Sequence, residues 1–284
     1  MKNSVKFVFF GTGDFAAKVL EVLLRNSFTP ELVVTTPDKP KGRKMELQPS
    51  PVKVLAEKNK IKTTTDYSLL DTDYSLFIVA DYRKIIPKEI LDMPKYGTLN
   101  VHPSLLPKFR GSSPIQSFIL SGEKEIGVTI IKIDEEVDHG GIIASSKFQV
   151  PSSKLYRKEL EEKLAELGGE LLVKIIPDWI EGKITAQEQN HSEATFTKKI
   201  TKEDGLLDLN GPAEIIARKV RAFTPWPGAY FFADNKRIII TEAEAKDGKL
   251  IIKRVKPEGK KEMSFGDFLK GNKSTKLEKY LGTV

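Results

Sequence analysis

The sequence predicts an α/β protein with a doubly wound parallel sheet, followed by a small antiparallel β-barrel. In the first half, short apolar runs alternate with segments of helical periodicity, which is the pattern of β-α-β units. In the last quarter, short strand-like runs alternate with turn sequences, which is typical of an antiparallel sheet. In a doubly wound sheet the functional site lies at the carboxyl ends of the strands. Residues that follow strands are therefore the candidates for function.

The strands of the predicted sheet are apolar-rich runs, as expected of strands covered on both faces. They are Val5–Phe10, Glu31–Thr36, Leu76–Ala80, Thr98–Val101 and Gly127–Ile133. Helices are predicted between the first of these strands, with recognisable start signals. They are Phe15–Arg25, which Asp14 can cap, and Val52–Asn59, which follows Ser50 and Pro51.

The second half of the chain begins with one long helical pattern, Lys154–Ile176, with a predicted interruption near Gly168 and Gly169. A polar segment of weak periodicity, Thr185–Glu203, predicts a linker. The elements predicted beyond it are a helix at Ala213–Ala222 and strands at Ala229–Ala233, Arg237–Thr241 and Lys249–Val255. We therefore expect a catalytic domain at 1–184, a linker at 185–203 and a barrel domain at 204–284.

Composition is that of an ordinary globular protein, with 39% hydrophobic and 30% charged residues. No apolar run approaches the roughly 20 residues that a membrane-spanning helix needs. The absence of cysteine excludes disulfides and thiol catalysis, and it fits a cytoplasmic protein. The net charge is +7, and the last hundred residues, with 19 basic and 14 acidic side chains, carry +5 of it. This distribution favours a polyanionic partner without identifying one.

The most informative residues are Asn100 and His102, with Asp138 further along the chain. Because Asn100 and His102 are two residues apart at a strand end, both side chains project from the same face. An imidazole beside an amide donor suits a reaction in which negative charge develops on a carbonyl oxygen. A carboxylate such as Asp138 that reaches the imidazole would orient it. The alternative is a strand-end hydrogen-bond pair without chemistry.

A competing site is the glycine-rich turn Gly11-Thr12-Gly13, which follows the first strand and opens a helix. It fits the dinucleotide fingerprint, and Asp38 lies after the second strand, where a ribose contact is expected. Against this interpretation, the charge of Asp14 in the first helical turn would repel a pyrophosphate. A metal site is not expected, because the three histidines lack ligand spacing and no cysteine is present.

Asn100-x-His102 followed by Ser104-Leu105-Leu106-Pro107 and, later, Asp138-x-Gly140 resembles the folate-dependent formyltransferases. The segments Phe109–Gln116 and Arg221–Pro227 narrow the resemblance to the members that formylate initiator methionyl-tRNA. It runs from about Lys6 to the C-terminal region. It implies a Rossmann-like catalytic domain and an OB-like barrel that helps to hold tRNA.

The resemblance implies transfer of a formyl group from 10-formyltetrahydrofolate to the amino group of initiator methionyl-tRNA, without a metal. The implied catalytic residues are Asn100, His102 and Asp138. The implied folate site is bordered by Ser104, Leu105, Leu106, Pro107, Asp81, Tyr82 and Arg83. The implied tRNA contacts are Arg43, Lys199 and Lys202. Three positions depart from the family pattern: Arg83 stands where glycine is common, His139 where a small hydroxyl residue is usual, and Gly141 where an acidic residue is often found.

Two other functions remain open at this point. A formyltransferase acting on glycinamide ribonucleotide or an amino sugar would share the three catalytic residues, but would not need the basic C-terminal region. A non-enzymatic nucleotide- or RNA-binding module would explain the glycines and the charge, but would leave Asn100, His102 and Asp138 without a role. If the chain formylates initiator methionyl-tRNA, as the resemblance implies, its partners are folate and initiator tRNA. No membrane is then involved, and we expect a monomer.

Overall fold

The computed structural model describes residues 5–42, 45–150, 155–271 and 275–280. The chain forms two compact units. The first lies within Met1–Gly111, Ile126–Phe148 and Glu161–Phe196, and the second within Ser112–Glu125, Gln149–Leu160 and Thr197–Val284. The domain limits 1–184, 185–203 and 204–284 remain a prediction. They divide the chain into continuous segments, whereas each compact unit consists of three separate stretches of the sequence.

The first unit is built on a seven-stranded sheet in the order β10-β9-β7-β6-β1-β2-β5. The first ten strands of the chain are β1 Phe7–Gly11, β2 Leu32–Val34, β3 Lys39–Lys41, β4 Glu46–Gln48, β5 Lys62–Thr64, β6 Leu76–Ala80, β7 Thr98–His102, β8 Arg110–Gly111, β9 Glu125–Lys132 and β10 Ile142–Gln149. Every residue of β1 is buried, and β1 pairs in parallel with β2 and with β6. The predicted parallel sheet is therefore confirmed at its centre.

Strand β9 differs from the prediction in direction, because it runs antiparallel to β7. The pairs Leu99↔Lys132 and His102↔Thr129 show that β9 begins beside the carboxyl end of β7 and runs away from it. The sequence did not reveal this, since a buried strand has the same apolar run in either direction. Asp138 therefore lies on the loop that returns from β9, and not directly at a parallel strand end.

Four of the described helices lie where the sequence predicts them, with different ends, and the other three were not predicted. They are α1 Asp14–Arg25, α2 Pro51–Lys58, α3 Lys88–Leu91, α4 Pro114–Ser121, α5 Arg157–Ile180, α6 Ala213–Phe223 and α7 Phe265–Lys270. The cap of α2 is confirmed, because Ser50 Oγ accepts the Lys53 N–H at 3.0 Å. The cap predicted for α1 is wrong: Gly13 is the N-cap, no side chain caps the helix, and Asp14 lies in its first turn.

The predicted interruption of α5 at Gly168 and Gly169 is also wrong, since the helix is continuous through both. A Cβ on Gly168 would come within 2.6 Å of Val101, and one on Gly169 within 2.5 Å of Val22. These glycines allow the helix to approach the sheet and α1 closely. Close packing therefore outweighs the roughly 1 kcal/mol that each glycine costs a helix.

The polar segment predicted as a linker is anchored in the first unit as far as Phe196. Gln187 and Ile142 exchange two backbone hydrogen bonds of 2.7 Å each. Gln189 is 4% exposed, although a linker side chain would be expected to face solvent. A 3₁₀ turn at His191–Glu193 and strand β11, Phe196–Thr197, complete the segment.

The second unit contains the predicted antiparallel sheet, in the order β12-β13-β14-β15. Its strands are β12 Ala229–Ala233, β13 Lys236–Lys246, β14 Lys249–Pro257 and β15 Met263–Ser264. The turn between β12 and β13 is Asp234-Asn235, with φ of 50° and 59°, as a tight hairpin of right-handed twist requires. Across the described stretches, no helix has the length and apolarity to cross a bilayer.

Candidate active site

Asn100 and His102 lie at the carboxyl end of β7, on the same face of the strand, and both contact Asp138. The His102 ring is 4% exposed, while Asn100 is half-buried. Asn100 Nδ2 lies 3.4 Å from Asp138 Oδ1, and His102 Nδ1 lies 3.4 Å from the same oxygen. The structure thus brings together three residues that the sequence separates by 38 positions.

The second oxygen of Asp138 is held by the main chain. The Gly111 N–H donates to Asp138 Oδ2 at 2.7 Å, which is a short, charge-assisted contact. Asp138 itself has φ of 51°, in the left-handed region that few residues other than glycine adopt. The orientation of its carboxylate is set by the contacts of both oxygens, Oδ1 with Asn100 and His102 and Oδ2 with the Gly111 N–H.

The other ring nitrogen of His102 faces a second acceptor. His102 Nε2 lies 3.0 Å from the carbonyl oxygen of Phe109, so this nitrogen carries a proton and donates it. With Asp138 at Nδ1 and Phe109 at Nε2, both edges of the imidazole are occupied by protein acceptors. A substrate oxygen can receive a hydrogen bond from Nε2 only by replacing the Phe109 carbonyl.

The turn Ser104–Pro107 is closed by its own hydrogen bonds. Ser104 is fully buried, and its hydroxyl donates to the Lys108 carbonyl at 2.7 Å. Thr129 Oγ1 donates to the Ser104 carbonyl at 2.7 Å and accepts the Leu106 N–H at 3.1 Å. The Ser104 hydroxyl and the Leu106 N–H are thus satisfied inside the protein, and the Leu106 side chain is buried. Leu105 and Pro107, which are half-buried, are the parts of this turn left for a ligand.

The predicted residues Asp81 and Arg83 lie beyond β6, beside the glycine turn that ends β1. Arg83 Nη2 pairs with Asp81 Oδ2 at 3.3 Å. A Cβ added to Gly13 would come within 1.9 Å of that same oxygen. Burial raises the pKa of the Asp81 carboxyl, while the Arg83 guanidinium acts in the opposite direction. The carboxylate therefore occupies the helix N-terminus where a dinucleotide phosphate would bind.

The other features of the dinucleotide interpretation are likewise used within the protein. Lys53 Nζ pairs with Asp38 at 2.9 Å, so the expected ribose contact has a lysine partner. Tyr82 packs edge-on against Phe10 at 5.5 Å, and its hydroxyl lies 3.1 Å from that of Tyr67. Tyr82 thus belongs to the aromatic packing under the sheet edge, and burial raises its pKa.

The three predicted tRNA contacts are in different situations. Arg43 lies outside the described residues, at a sequence position between strands β3 and β4, which pair antiparallel. Lys199 and Lys202 are exposed, and among the described residues neither has an ion-pair partner. Their neighbour Lys198 is instead paired with Asp204.

No metal site is visible in the part of the chain that the structure describes, where no three His, Asp or Glu side chains converge. His139 and His191 approach each other, but as stacked rings 4.0 Å apart with 3° between their planes. His139 Nδ1 contacts Asp134 at 2.6 Å. These two histidines therefore make packing and hydrogen-bond contacts beside the Asp138 loop.

Sequence reasoning missed the Gly111 N–H and Gln189, which bond Asp138 directly, and Arg110, which bonds Gln189. The sequence indicates Arg110 and Gly111 only as part of a family pattern, and a backbone donor such as the Gly111 N–H has no side-chain signature. Gln189 stands in a polar segment without periodicity, which predicts a linker. Its side chain donates to the Asp138 carbonyl at 2.9 Å and the Gly140 carbonyl at 2.8 Å.

An imidazole and a carboxamide that share a half-buried carboxylate, at the carboxyl end of a strand in a doubly wound sheet, can serve acyl transfer as hydrogen-bond donors and proton-transfer groups. Comparison with family models agrees with this class of chemistry: residues 5–176 match the formyl transferase model. Residues 199–250 match the formyl transferase C-terminal domain. The chain belongs to the formyl transferase family and is an enzyme of that class.

Curated relatives match over nearly the whole chain. A methionyl-tRNA formyltransferase from Thermotoga maritima is 36% identical over 299 residues, covering 94% of this chain and 95% of that protein. One from Wolbachia pipientis is 36% identical over 305 residues, with 98% and 100% covered. The two alignments cover at least 94% of this chain and at least 95% of each relative, so the likeness includes both compact units.

Solved structures share the fold at low identity. A methionyl-tRNA formyltransferase from Clostridium thermocellum has a TM-score of 0.60 and 18% identity, covering 89% of this chain and 98% of that one. An N-formyltransferase from Helicobacter canadensis, solved with folinic acid and dTDP-3-aminofucose, has a TM-score of 0.63 and 22% identity. The second match covers 87% of this chain and 95% of the other. Both confirm the fold.

Proposed function

We propose that this enzyme transfers a formyl group from 10-formyltetrahydrofolate to the α-amino group of initiator methionyl-tRNA, for translation initiation in the cytoplasm. The observation that carries the proposal is the similarity to methionyl-tRNA formyltransferases at 36% identity over 94% of the chain. This similarity extends through the C-terminal region, where residues 199–250 match the family's second domain. The proposed enzyme acts as a monomer and uses no metal.

The proposed reaction forms one bond and breaks one bond at the formyl carbon. The neutral amine of methionine attacks this carbon, and the bond from the carbon to the folate nitrogen then breaks. The amine loses a proton, and the folate nitrogen gains one. His102 and Asn100 stabilise the developing oxyanion as hydrogen-bond donors. Asp138 orients His102 and helps to remove the proton from the amine, directly or through water.

The contact between His102 and Phe109 adds a condition to this mechanism. Because Nε2 donates to the Phe109 carbonyl at 3.0 Å, the proton on Nε2 must turn to the formyl oxygen when the donor is bound. Phe109 has φ of 60°, in the left-handed region, so a small backbone rearrangement there would relieve backbone strain and free His102 Nε2 for the substrate. In this proposal, the Phe109 carbonyl holds the proton in place until substrate arrives.

The folate donor would bind between the Ser104–Pro107 turn and the segment after β6. Half-buried Leu105 and Pro107 provide apolar surface there. Ile85, which is 93% exposed, and Val137, which is 69% exposed, are large apolar side chains next to predicted site residues. Exposed apolar groups that flank polar site residues fit an aromatic ring such as a pteridine. Asp81, Tyr82 and Arg83 would then support this site and need not contact the ring.

The acceptor tRNA would be held by exposed cations, namely Lys199 and Lys202 together with Arg43. Replacement of both lysines by alanine should raise the apparent KM for tRNA and flatten its salt dependence by about two counterions. Lys198→Ala is the matched control, because Lys198 is already paired with Asp204. Equal salt slopes for the wild type and the double variant would remove these lysines from the tRNA contacts.

One experiment tests the whole proposal. Labelled formyl donor is offered with methionyl-tRNA, free methionine, glycinamide ribonucleotide and a nucleotide-linked amino sugar as separate acceptors. Efficient formylation of methionyl-tRNA alone is the expected result. Preference for either small amine would replace the proposal by the alternative that the sequence left open. Absence of transfer to all four acceptors would favour a binding module without catalysis.

A further inference from the structure

A closed ring of interactions includes both the side-chain carboxylate and the backbone carbonyl of Asp138. The Gly111 N–H holds the carboxylate at 2.7 Å. On the other side, Gln189 Nε2 donates to the Asp138 carbonyl at 2.9 Å. Gln189 Oε1 accepts from Arg110 Nη2 at 2.7 Å and from Arg110 Nε at 3.2 Å, and Arg110 is covalently joined to Gly111. The ring is thus closed.

The orientation of the Gln189 amide follows from its partners. The Arg110 guanidinium can only donate, and the two carbonyls of Asp138 and Gly140 can only accept. If the amide were reversed, its NH₂ group would face the Arg110 donors and its oxygen would face the two carbonyl acceptors, so all four hydrogen bonds would be lost. Gln189 is 4% exposed and Arg110 is 3% exposed, so water cannot easily replace any of these bonds.

The same short segment also supports the residue between these two carbonyls. The His191 ring stacks on the His139 ring at 4.0 Å. His191 Nδ1 lies 2.8 Å from Arg110 Nη2 and must accept from it, because Arg110 has no acceptor. Residues 138, 139 and 140 are therefore all held by the segment that the sequence predicts as a linker.

We propose that Gln189, held by Arg110, is a positioning residue that fixes the Asp138 carboxylate for catalysis; this inference rests on the proposed function. Asp138 has φ of 51°, and a strained residue keeps such a conformation only when its neighbours determine it. Gln189 supplies two of these determining bonds, to the carbonyls of Asp138 and Gly140. Without them, the contacts of Asp138 to His102 and Asn100 would loosen.

The Gln189→Glu substitution separates positioning from folding. The glutamate keeps the size of the side chain, and one oxygen pairs with the buried Arg110, so the protein should remain folded. Its other oxygen faces the Asp138 and Gly140 carbonyls, where a donor is required. The matched control is Gln187→Glu, the same chemical change two residues away on an exposed side chain whose hydrogen bonds, within the described part of the chain, go to Thr185.

Two measurements on the full-length protein test the inference. In Gln189→Glu, kcat for formyl transfer should fall by about 10- to 100-fold with little change in donor KM, as expected when a catalytic group is slightly misplaced. Amide hydrogen exchange at Gly111 should become about 10-fold faster or more, because its carboxylate acceptor is no longer held. Gln187→Glu should match the wild type in both.

An unchanged kcat in Gln189→Glu, or an unchanged exchange rate at Gly111, would overturn the inference. A fall in kcat of the same size in Gln187→Glu would also overturn it, since the effect would then belong to added charge. If the wild type formylates no acceptor, the proposed function fails. Exchange at Gly111 in the two variants would still decide whether Gln189 holds Asp138.

Discussion

Two carboxylates at the same edge of the sheet have opposite situations. Asp81 follows β6, pairs with Arg83 and lies against Gly13, so it occupies the helix terminus that a phosphate would need. Asp138 accepts the Gly111 N–H and lies beside an imidazole and a carboxamide that can exchange partners with a substrate. Asp81 blocks the phosphate site that the glycine-rich turn predicts, whereas Asp138 belongs to the candidate active site. A glycine-rich motif indicates a phosphate site only where the backbone N–H donors at the helix N-terminus remain accessible to a ligand.

The largest expected effect is a difference in kcat between substitutions of the two carboxylates. Asp138→Asn removes the charge that orients His102 and should lower kcat by about 100-fold or more. Asp81→Asn, the same chemical change at the same sheet edge, should leave kcat within about 3-fold. Steady-state kinetics with methionyl-tRNA compares them. Similar losses of kcat in both variants would contradict a catalytic role for Asp138 that Asp81 does not share.

The next effect concerns how tightly Asp81 closes the glycine turn. Gly13 has φ of −86°, which alanine adopts freely, so Gly13→Ala tests only the space beside Asp81. The added Cβ would displace Asp81 and Arg83, and we expect a loss of about 1–3 kcal/mol in the free energy of unfolding. Gly271→Ala is the control, because a Cβ there meets no atom closer than 3.8 Å. Equal stabilities would show that the turn is open.

A smaller effect is expected from Arg83, the residue that stands where the family commonly has glycine. Arg83→Gly removes a half-exposed ion pair and should raise the donor KM by at most about 5-fold, with kcat unchanged. Titration of the donor at saturating tRNA measures this. A large loss of kcat would place Arg83 in direct contact with substrate instead.

The smallest effect is a pH dependence of stability at Asp81. Because burial raises the pKa of this carboxyl in the folded protein, its favourable contribution is full below its ordinary pKa of 3.8. The contribution is lost as the pH rises through the raised value. The stability of Asp81→Asn relative to wild type should therefore improve as the pH rises above about 4. Denaturant unfolding at several pH values measures it, and a constant or falling difference would contradict a raised pKa.

The elements that sequence reasoning predicted share one property: their signal is local. The buried run at β1 and the cap of α2 by Ser50 each depend on residues within a few positions. The direction of β9 and the continuity of α5 through Gly168 and Gly169 depend on distant packing partners. Apolar periodicity has the same form whichever partner is present, so these two features could not be predicted.

At the candidate site the sequence by itself determined which groups are available: an amide and an imidazole two residues apart, a later carboxylate, and a family pattern that joins them. Only the tertiary structure decided their geometry. The Phe109 carbonyl takes Nε2 of His102, the Gly111 N–H holds Asp138, and Asp81 fills the glycine turn. Gln189 reaches Asp138 across 51 residues of sequence. The physical reason is that backbone donors and acceptors are identical in every residue, so only folding determines which of them meet at a site.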